Sequence, residues 1–180
     1  MKYKQEWVAV ANFGGYENLG IEPDIFTSAK GLGGGIPIGA MLCKSHCDVF
    51  EAGSHASTFG GNPFVCAVAL AVCQTLEKEN LLANVQLRGE DLRTGLKAIA
   101  AKYPNLFREV RGWGLINGME LNSDVELTSI DIVKAAMNEG LLIVPAGPKV
   151  LRFVPPLIIT ETEVMEAMDA LARAIANVVQ

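Results

Sequence analysis

The sequence predicts an α/β protein, because short apolar runs of strand length alternate with helical patterns that carry their own start signals. The first run begins at Ile25 and ends at Lys30, where it gives way to glycines. Further along, Asn62 and Pro63 open a helix, since asparagine caps free amides and proline suits the first helical position. The prediction of fold class and the first candidate site both rest on these two places.

Lys30 is the first candidate for chemistry, because it stands at the end of a predicted buried strand and before a run of glycines that allow close approach of another group. A Walker-type phosphate loop is excluded, since its lysine follows the glycines, and Ile36 stands where a dinucleotide-binding fingerprint needs glycine. Two interpretations stay open. Lys30 is either an amine that burial makes nucleophilic, able to bond a carbonyl or pyridoxal phosphate, or a solvated lysine that ends a strand.

The composition bounds the class of protein. With 180 residues, 50% of them hydrophobic, the chain can bury a sizeable core as one large domain or two small ones. A net charge of -5 without a basic cluster excludes an electrostatic site for nucleic acid or an acidic membrane. Residues 1–6 lack the apolar core of a signal peptide, and every later apolar run is too short to span a membrane. A cytoplasmic location is predicted.

The four cysteines are predicted to be reduced, because neither their spacing nor their context suggests a disulfide framework. Cys66 and Cys73 lie in a continuous apolar stretch and are expected in the core. Cys43 and Cys47 flank His46, but no CxxC pair accompanies them. A metal site is therefore not predicted.

The elements of the first half follow from local patterns. Residues 36–43 predict a second buried strand, with Pro37 near its beginning or at a sheet edge. The helix that opens at Pro63 runs to about Glu79 and is apolar on every side for three turns, which indicates burial in a larger assembly. A second, amphipathic helix covers about residues 81–102 and stops before Pro104, so domains are predicted at 1–103 and 104–180.

The second half predicts a compact α+β subdomain. Short strands with glycines at bends are expected within residues 109–121, and further strands at 141–144 and 150–154. Thr128 or Ser129 caps a helix over 130–139 that Gly140 ends. Thr160 and Glu163 form a capping box that opens a final helix towards Val178.

Two motifs in fixed order carry a family resemblance. Residues 28–40 read SAKGLGGGIPIGA and residues 55–63 read HASTFGGNP. Together they resemble the class III pyridoxal-phosphate-dependent aminotransferases, most closely the acetylornithine and ornithine branch, from about Phe13 onwards. The resemblance implies the C-terminal portion of a fold type I transferase: part of the large-domain sheet, with the cofactor-binding residues in 1–103, followed by the α+β small domain.

The resemblance also implies roles for four residues. Lys30 matches the lysine that holds the cofactor as a Schiff base and then transfers the proton, which requires an amine able to be neutral. Thr58 matches the threonine that contacts the cofactor phosphate from the partner subunit, with Ser57 beside it near cofactor and substrate. Without the resemblance, both are polar residues that approach a helix. Arg152 matches the arginine that grips the substrate carboxylate through a planar, bidentate fork.

The implied reaction moves the terminal amino group of N-acetylornithine or ornithine to a 2-oxo acid such as 2-oxoglutarate, in arginine biosynthesis, within a homodimer. The aspartate that pairs with the pyridine nitrogen, the phosphate loop and the stacking aromatic residue of the family are absent from this sequence, and Asp24 does not replace that aspartate. The chain is therefore expected to be truncated and to have little or no activity alone. The alternative is a non-catalytic remnant that dimerises or binds a ligand.

Overall fold

The computed structural model describes residues 15–179, which form two compact units divided between Leu82 and Ala83. The strands described are β1 Ile25–Ala29, β2 Gly39–Cys43, β3 Phe107–Trp113, β4 Ile116–Leu121, β5 Val144–Pro145 and β6 Val150–Phe153. The α-helices described are α1 Pro63–Lys78, α2 Leu81–Lys102, α3 Ser129–Asn138 and α4 Glu161–Val179. Nearly all of α2 thus belongs to the second compact unit, whereas the predicted division at 103 groups it with the first.

The strands of the first unit are more exposed than predicted. β1 and β2 form an antiparallel pair, with Ile25 opposite Cys43 and Ala29 opposite Gly39. Both were expected to be buried, but Ile25 is 44% exposed and Met41 51%. Within the described residues these two strands pair only with each other, and a two-stranded sheet buries little apolar area. The sequence pattern therefore predicted the two strands correctly, but it did not predict how far they are buried.

Helix α1 begins as predicted, and the side chain of Asn62 accepts a hydrogen bond of 3.1 Å from the amide of Val65. Its apolar faces are largely open: Phe64 is 65% exposed, and Ala69 and Leu76 are its only buried residues among those described. Cys66 is likewise exposed and Cys73 half-buried, so the prediction that both lie in the core is wrong. Burial of α1 in a larger assembly stays a prediction.

The second unit has the α+β composition that was predicted. Its antiparallel sheet has the order β3-β4-β6-β5, and helices α2, α3 and α4 supply the other half of the core. Fully or almost fully buried residues come from the central strands β4 and β6 and from all three helices: Leu92, Leu96, Met119, Leu121, Ile132, Leu151, Leu171 and Ile175. β5 is two residues long and starts at Val144, later than expected, because the preceding 141–143 segment does not pair.

Helix α2 meets the β3–β4 turn through two glycines. A Cβ built on Gly89 would lie 2.3 Å from the carbonyl oxygen of Gly114, so only glycine allows the approach. The same carbonyl accepts hydrogen bonds from Nη1 of Arg93 at 3.2 Å and from Nδ2 of Asn117 at 2.9 Å. Because Asn117 is buried, this carbonyl fixes the sheet against the helix.

Two capping boxes confirm the predicted starts of α3 and α4. The Asp131 carboxylate accepts a hydrogen bond from the amide of Thr128 at 2.8 Å, and the Thr128 hydroxyl accepts from the amide of Asp131. The Glu163 carboxylate accepts from the amide of Thr160 at 2.7 Å, and the Thr160 hydroxyl accepts from the amide of Glu163. Each box satisfies amides that a helix start leaves without partners. In residues 15–179 no helix is long and apolar enough to cross a membrane.

These boxes make stability depend on pH. The side chain and amide of Thr128 hold the pKa of Asp131 below its ordinary value, and the amide and hydroxyl of Thr160 do the same for Glu163. A carboxyl group whose pKa is lowered on folding stabilises the folded state fully at pH values above its unfolded-state pKa. That stabilisation is lost as the pH falls through its folded-state pKa. An Asp131→Asn/Glu163→Gln variant has neither carboxylate to protonate. We therefore expect its free energy of unfolding, measured by urea titration, to fall less between about pH 7 and pH 3 than that of the unsubstituted chain. Equal falls in both proteins would contradict this.

Candidate active site

Lys30 opens a tight turn directly after β1. The turn, residues Lys30–Gly33, is called here the lysine turn, and it is closed by hydrogen bonds from Gly34 N to Gly31 O at 3.1 Å and from Ile36 N to Gly33 O at 2.9 Å. Lys30 has φ 55°, a left-handed conformation that is uncommon outside glycine. Lys30 is exposed within the described residues, and its role stays a prediction. Its position at the end of a strand is confirmed.

A cavity of about 870 Å³, the lysine cavity, lies beside this turn. Lys30 forms part of its wall, and glycines supply much of the rest: Gly31, Gly34, Gly35, Gly39, Gly60 and Gly61. Walls without side chains let a flat group lie close to the backbone. The two glycine-rich motifs, which are separated in the sequence, therefore share one cavity.

The far wall of the lysine cavity is the loop before α1. Ser57 lines it, and the Ser57 hydroxyl accepts a hydrogen bond of 3.0 Å from the amide of Gly60. Gly61 and Val65, on either side of the α1 N-terminus, line it as well. Because a helix N-terminus carries partial positive charge, this end of the cavity favours an anion such as a phosphate.

Thr58 lies in the same loop but does not line the lysine cavity, and it is exposed. Within one chain the structure thus brings Ser57, and not Thr58, to the cavity of Lys30. The resemblance assigned Thr58 to the cofactor of a partner subunit, and that role stays a prediction.

Arg152 lies in the second unit, at the centre of β6, opposite Val144 of β5 and Gly118 of β4. It lines a separate cavity of about 610 Å³, the arginine cavity, whose wall is mostly apolar and includes Leu142, Phe153 and Ile158. The Nε atom of Arg152 is buried and has no hydrogen-bond partner among the described residues. A buried nitrogen without a partner costs free energy, whereas the planar guanidinium of a cavity-lining arginine can bind a carboxylate.

The sequence did not single out Ile36, Pro37 or Ile38 as site residues, because it assigned them to a strand. The structure starts β2 at Gly39 and places all three in the wall of the lysine cavity. Phe59, also in the wall, is the one aromatic residue among its described lining residues. The sequence feature that could have shown that this segment is not a strand is Pro37, because proline lacks the amide hydrogen that a central strand needs.

A family profile for class-III aminotransferases matches residues 11–175. This chain belongs to the class-III aminotransferases. It is 73% identical over 164 residues to an acetylornithine aminotransferase of Nostoc sp., covering 91% of this chain and 38% of that protein. It is 66% identical over 165 residues to the protein of the same name from Synechocystis sp., covering 92% of this chain and 38% of that protein. The chain therefore spans well under half the length of these relatives.

Solved structures of the same family confirm the predicted fold class. The ornithine aminotransferase of Toxoplasma gondii superposes with a TM-score of 0.88 at 32% identity, covering 96% of this chain and 41% of that one. The N-acetylornithine aminotransferase of Stenotrophomonas maltophilia gives a TM-score of 0.81 at 37% identity, covering 96% of this chain and 45% of that one. The α/β fold of this class-III chain is thus the fold of part of an aminotransferase.

Proposed function

We propose that this chain carries the cofactor-holding lysine and the small domain of a pyridoxal-phosphate-dependent aminotransferase. The enzyme transfers the terminal amino group of N-acetylornithine or ornithine to 2-oxoglutarate, in arginine biosynthesis. One observation supports this most: Lys30, whose backbone is left-handed, shares a glycine-walled cavity with Ser57 and the N-terminus of α1.

The lysine cavity fits pyridoxal phosphate by size and chemistry. Its volume of about 870 Å³ is within the range of small-molecule sites. The glycine walls leave room for a flat ring, Ser57 offers a hydroxyl, and the α1 N-terminus suits the phosphate. When bound, the cofactor supplies an electron sink for the carbon that carries the substrate amine.

Lys30 has two roles in this proposal. Its Nζ anchors the cofactor covalently, and once substrate has released it, the same nitrogen moves a proton between the substrate carbon and the cofactor carbon. Positioned acid–base groups of this kind contribute about 10²–10⁴-fold to rate. Because the lysine turn lies at the cavity wall, the amine reaches the cavity without rearrangement of β1.

Arg152 binds a substrate carboxylate in this proposal. Arg152 lines the arginine cavity, and its planar guanidinium suits a bidentate contact that a lysine cannot reproduce. The apolar wall of the arginine cavity strengthens that contact by excluding water.

The complete protein is proposed to be a cytoplasmic homodimer, in which Thr58 contacts the cofactor phosphate of the partner subunit. Its large domain includes residues 1–103 and its small domain residues 104–180. The exposed apolar residues Phe64 and Leu70 on α1 support an additional partner for this helix.

A chimera tests the proposal. The 164 residues of the Nostoc protein that align at 73% identity are replaced by those of this chain, and turnover of N-acetylornithine with 2-oxoglutarate is measured. We expect the chimera to be active and the 180-residue chain alone to have little or no activity, because the ring-nitrogen aspartate and phosphate loop are expected outside it. A folded but inactive chimera favours the non-catalytic alternative. Robust turnover by the chain alone contradicts the expectation that it needs site residues from outside these 180.

A further inference from the structure

Gly33 and Ile38 meet directly beneath the lysine turn. Gly33 is buried, and a Cβ built on it would lie 2.9 Å from Cγ2 of Ile38, closer than such atoms approach in proteins. Ile38 also lines the lysine cavity. Its branched side chain therefore packs against the bare Cα of Gly33 on one side and faces the cavity wall on the other.

A second contact holds the next residue of the segment. Gly34 has φ 56°, and a Cβ on it would lie 3.0 Å from Cγ2 of Val72 in α1. Helix α1 packs on the lysine turn, and Leu32 of the turn is buried. The lysine turn therefore packs against Ile38 at Gly33, and the next residue, Gly34, packs against Val72.

This packing has a specific consequence for Lys30. A left-handed lysine costs free energy and persists only where the surrounding structure imposes it. The lysine turn is short, and its two closing hydrogen bonds end at Gly31 and Gly33. Because Gly33 lies only three residues after Lys30 in this turn, we expect a displacement of Gly33 to shift the backbone of Lys30.

We propose that Ile38 is a positioning residue for Lys30. Its Cγ2 methyl packs against Gly33, keeps Lys30 in its left-handed conformation at the start of the lysine turn, and so presents the Lys30 amine to the lysine cavity. The consequence for cofactor capture rests on the proposed function, whereas the packing itself does not.

The test compares four variants of the full 180-residue chain: Gly33→Ala, Ile38→Ala, Gly33→Ala/Ile38→Ala and Gly33→Ala/Ile38→Val. The readout is the rate at which Lys30 captures pyridoxal phosphate, trapped by borohydride and quantified by peptide mass spectrometry. Nζ forms the C–N bond to the aldehyde carbon, water leaves, and hydride from borohydride makes the bond permanent. We expect each single variant to capture roughly 10- to 100-fold more slowly, since a misplacement of about 1 Å costs that much.

The double variants distinguish a specific effect on the position of Lys30 from a general loss of folded structure. Gly33→Ala/Ile38→Ala removes Cγ1, Cγ2 and Cδ1 of residue 38 and adds one methyl at residue 33, which then meets only Cβ of residue 38, at 3.8 Å. Because the clash is gone and the new methyl takes the place of Cγ2, we expect capture to recover to within about threefold of the unsubstituted chain, a non-additive result. Gly33→Ala/Ile38→Val keeps the clashing methyl, because valine is branched at Cβ like isoleucine, and is expected to stay slow. Equal rates in Gly33→Ala and the unsubstituted chain, or no difference between the double variants, overturn the proposal.

A second readout needs no cofactor. Hydrogen exchange of the Gly34 and Ile36 amides, which close the turn, should accelerate in Gly33→Ala and slow again in Gly33→Ala/Ile38→Ala. If exchange follows this pattern while the unsubstituted chain shows no selective capture, the positioning contact stands and the proposed function fails. If capture is selective but exchange is the same in all variants, the positioning contact fails and the proposed function stands.

Discussion

Replacing Lys30 with alanine in the active chimera is expected to lower kcat by at least about 10²–10⁴-fold, the contribution of a positioned acid–base group. The loss of kcat should be larger still if activity also depends on the covalent bond between Lys30 and the cofactor, because alanine cannot form that bond. Steady-state kinetics with N-acetylornithine measures this, and covalent capture of pyridoxal phosphate by the 180-residue chain should fall to the level of its exposed lysines.

Lys78→Ala is the matched control, since Lys78 is an exposed lysine in the last turn of α1 and does not line the lysine cavity. It should leave kcat and capture at Lys30 unchanged. If Lys30→Ala and Lys78→Ala retain the same activity, the assignment of Lys30 as the chemical lysine is wrong, whatever the family.

Gly89→Ala is expected to lower the free energy of unfolding by about 2–4 kcal/mol, although alanine is the better helix former. The new Cβ would lie 2.3 Å from the carbonyl oxygen of Gly114, a backbone atom that cannot rotate away. Moving that carbonyl also weakens its hydrogen bonds from Arg93 and Asn117, worth about 1 kcal/mol each. Urea unfolding followed by circular dichroism measures the effect.

Gly95→Ala in the same helix is the control for Gly89→Ala. Its Cβ would lie 2.6 Å from Cγ of Met168, whose flexible side chain can adopt another rotamer. Since both changes gain the same helix propensity, we expect Gly95→Ala to stay within about 1 kcal/mol of the unsubstituted chain. A similar loss in both variants would mean that the Gly89–Gly114 approach does not control the packing of α2.

The features that sequence predicted well are set by groups a few residues apart. Asn62 caps α1, and Thr160 with Glu163 caps α4, because donor and acceptor lie within one helical turn. Burial of β1 was predicted wrongly for the opposite reason. Whether Ile25 is covered depends on distant elements, and an apolar run carries no information about them.

In the candidate site, too, the residues that could be predicted are those that a local sequence pattern or the family resemblance identifies. Lys30 could be proposed because a lysine before glycines is a local pattern, and the family resemblance supplied its role together with those of Ser57, Thr58 and Arg152. Ile38 could not be proposed as part of the site, since its contact with Gly33 depends on the path of the intervening chain. The buried, unpartnered Nε of Arg152 likewise required the surrounding sheet to be seen.

The most direct test of the central claim is to add pyridoxal phosphate to the purified 180-residue chain, reduce with borohydride, digest with trypsin and locate the modified lysine. Modification of Lys30 blocks cleavage there and yields a peptide that covers residues 5–44. The same experiment in urea supplies the control for chance reactivity. Near-stoichiometric, fold-dependent labelling of Lys30 is the result we predict, and labelling scattered over the exposed lysines in both conditions would contradict a cofactor site in this chain.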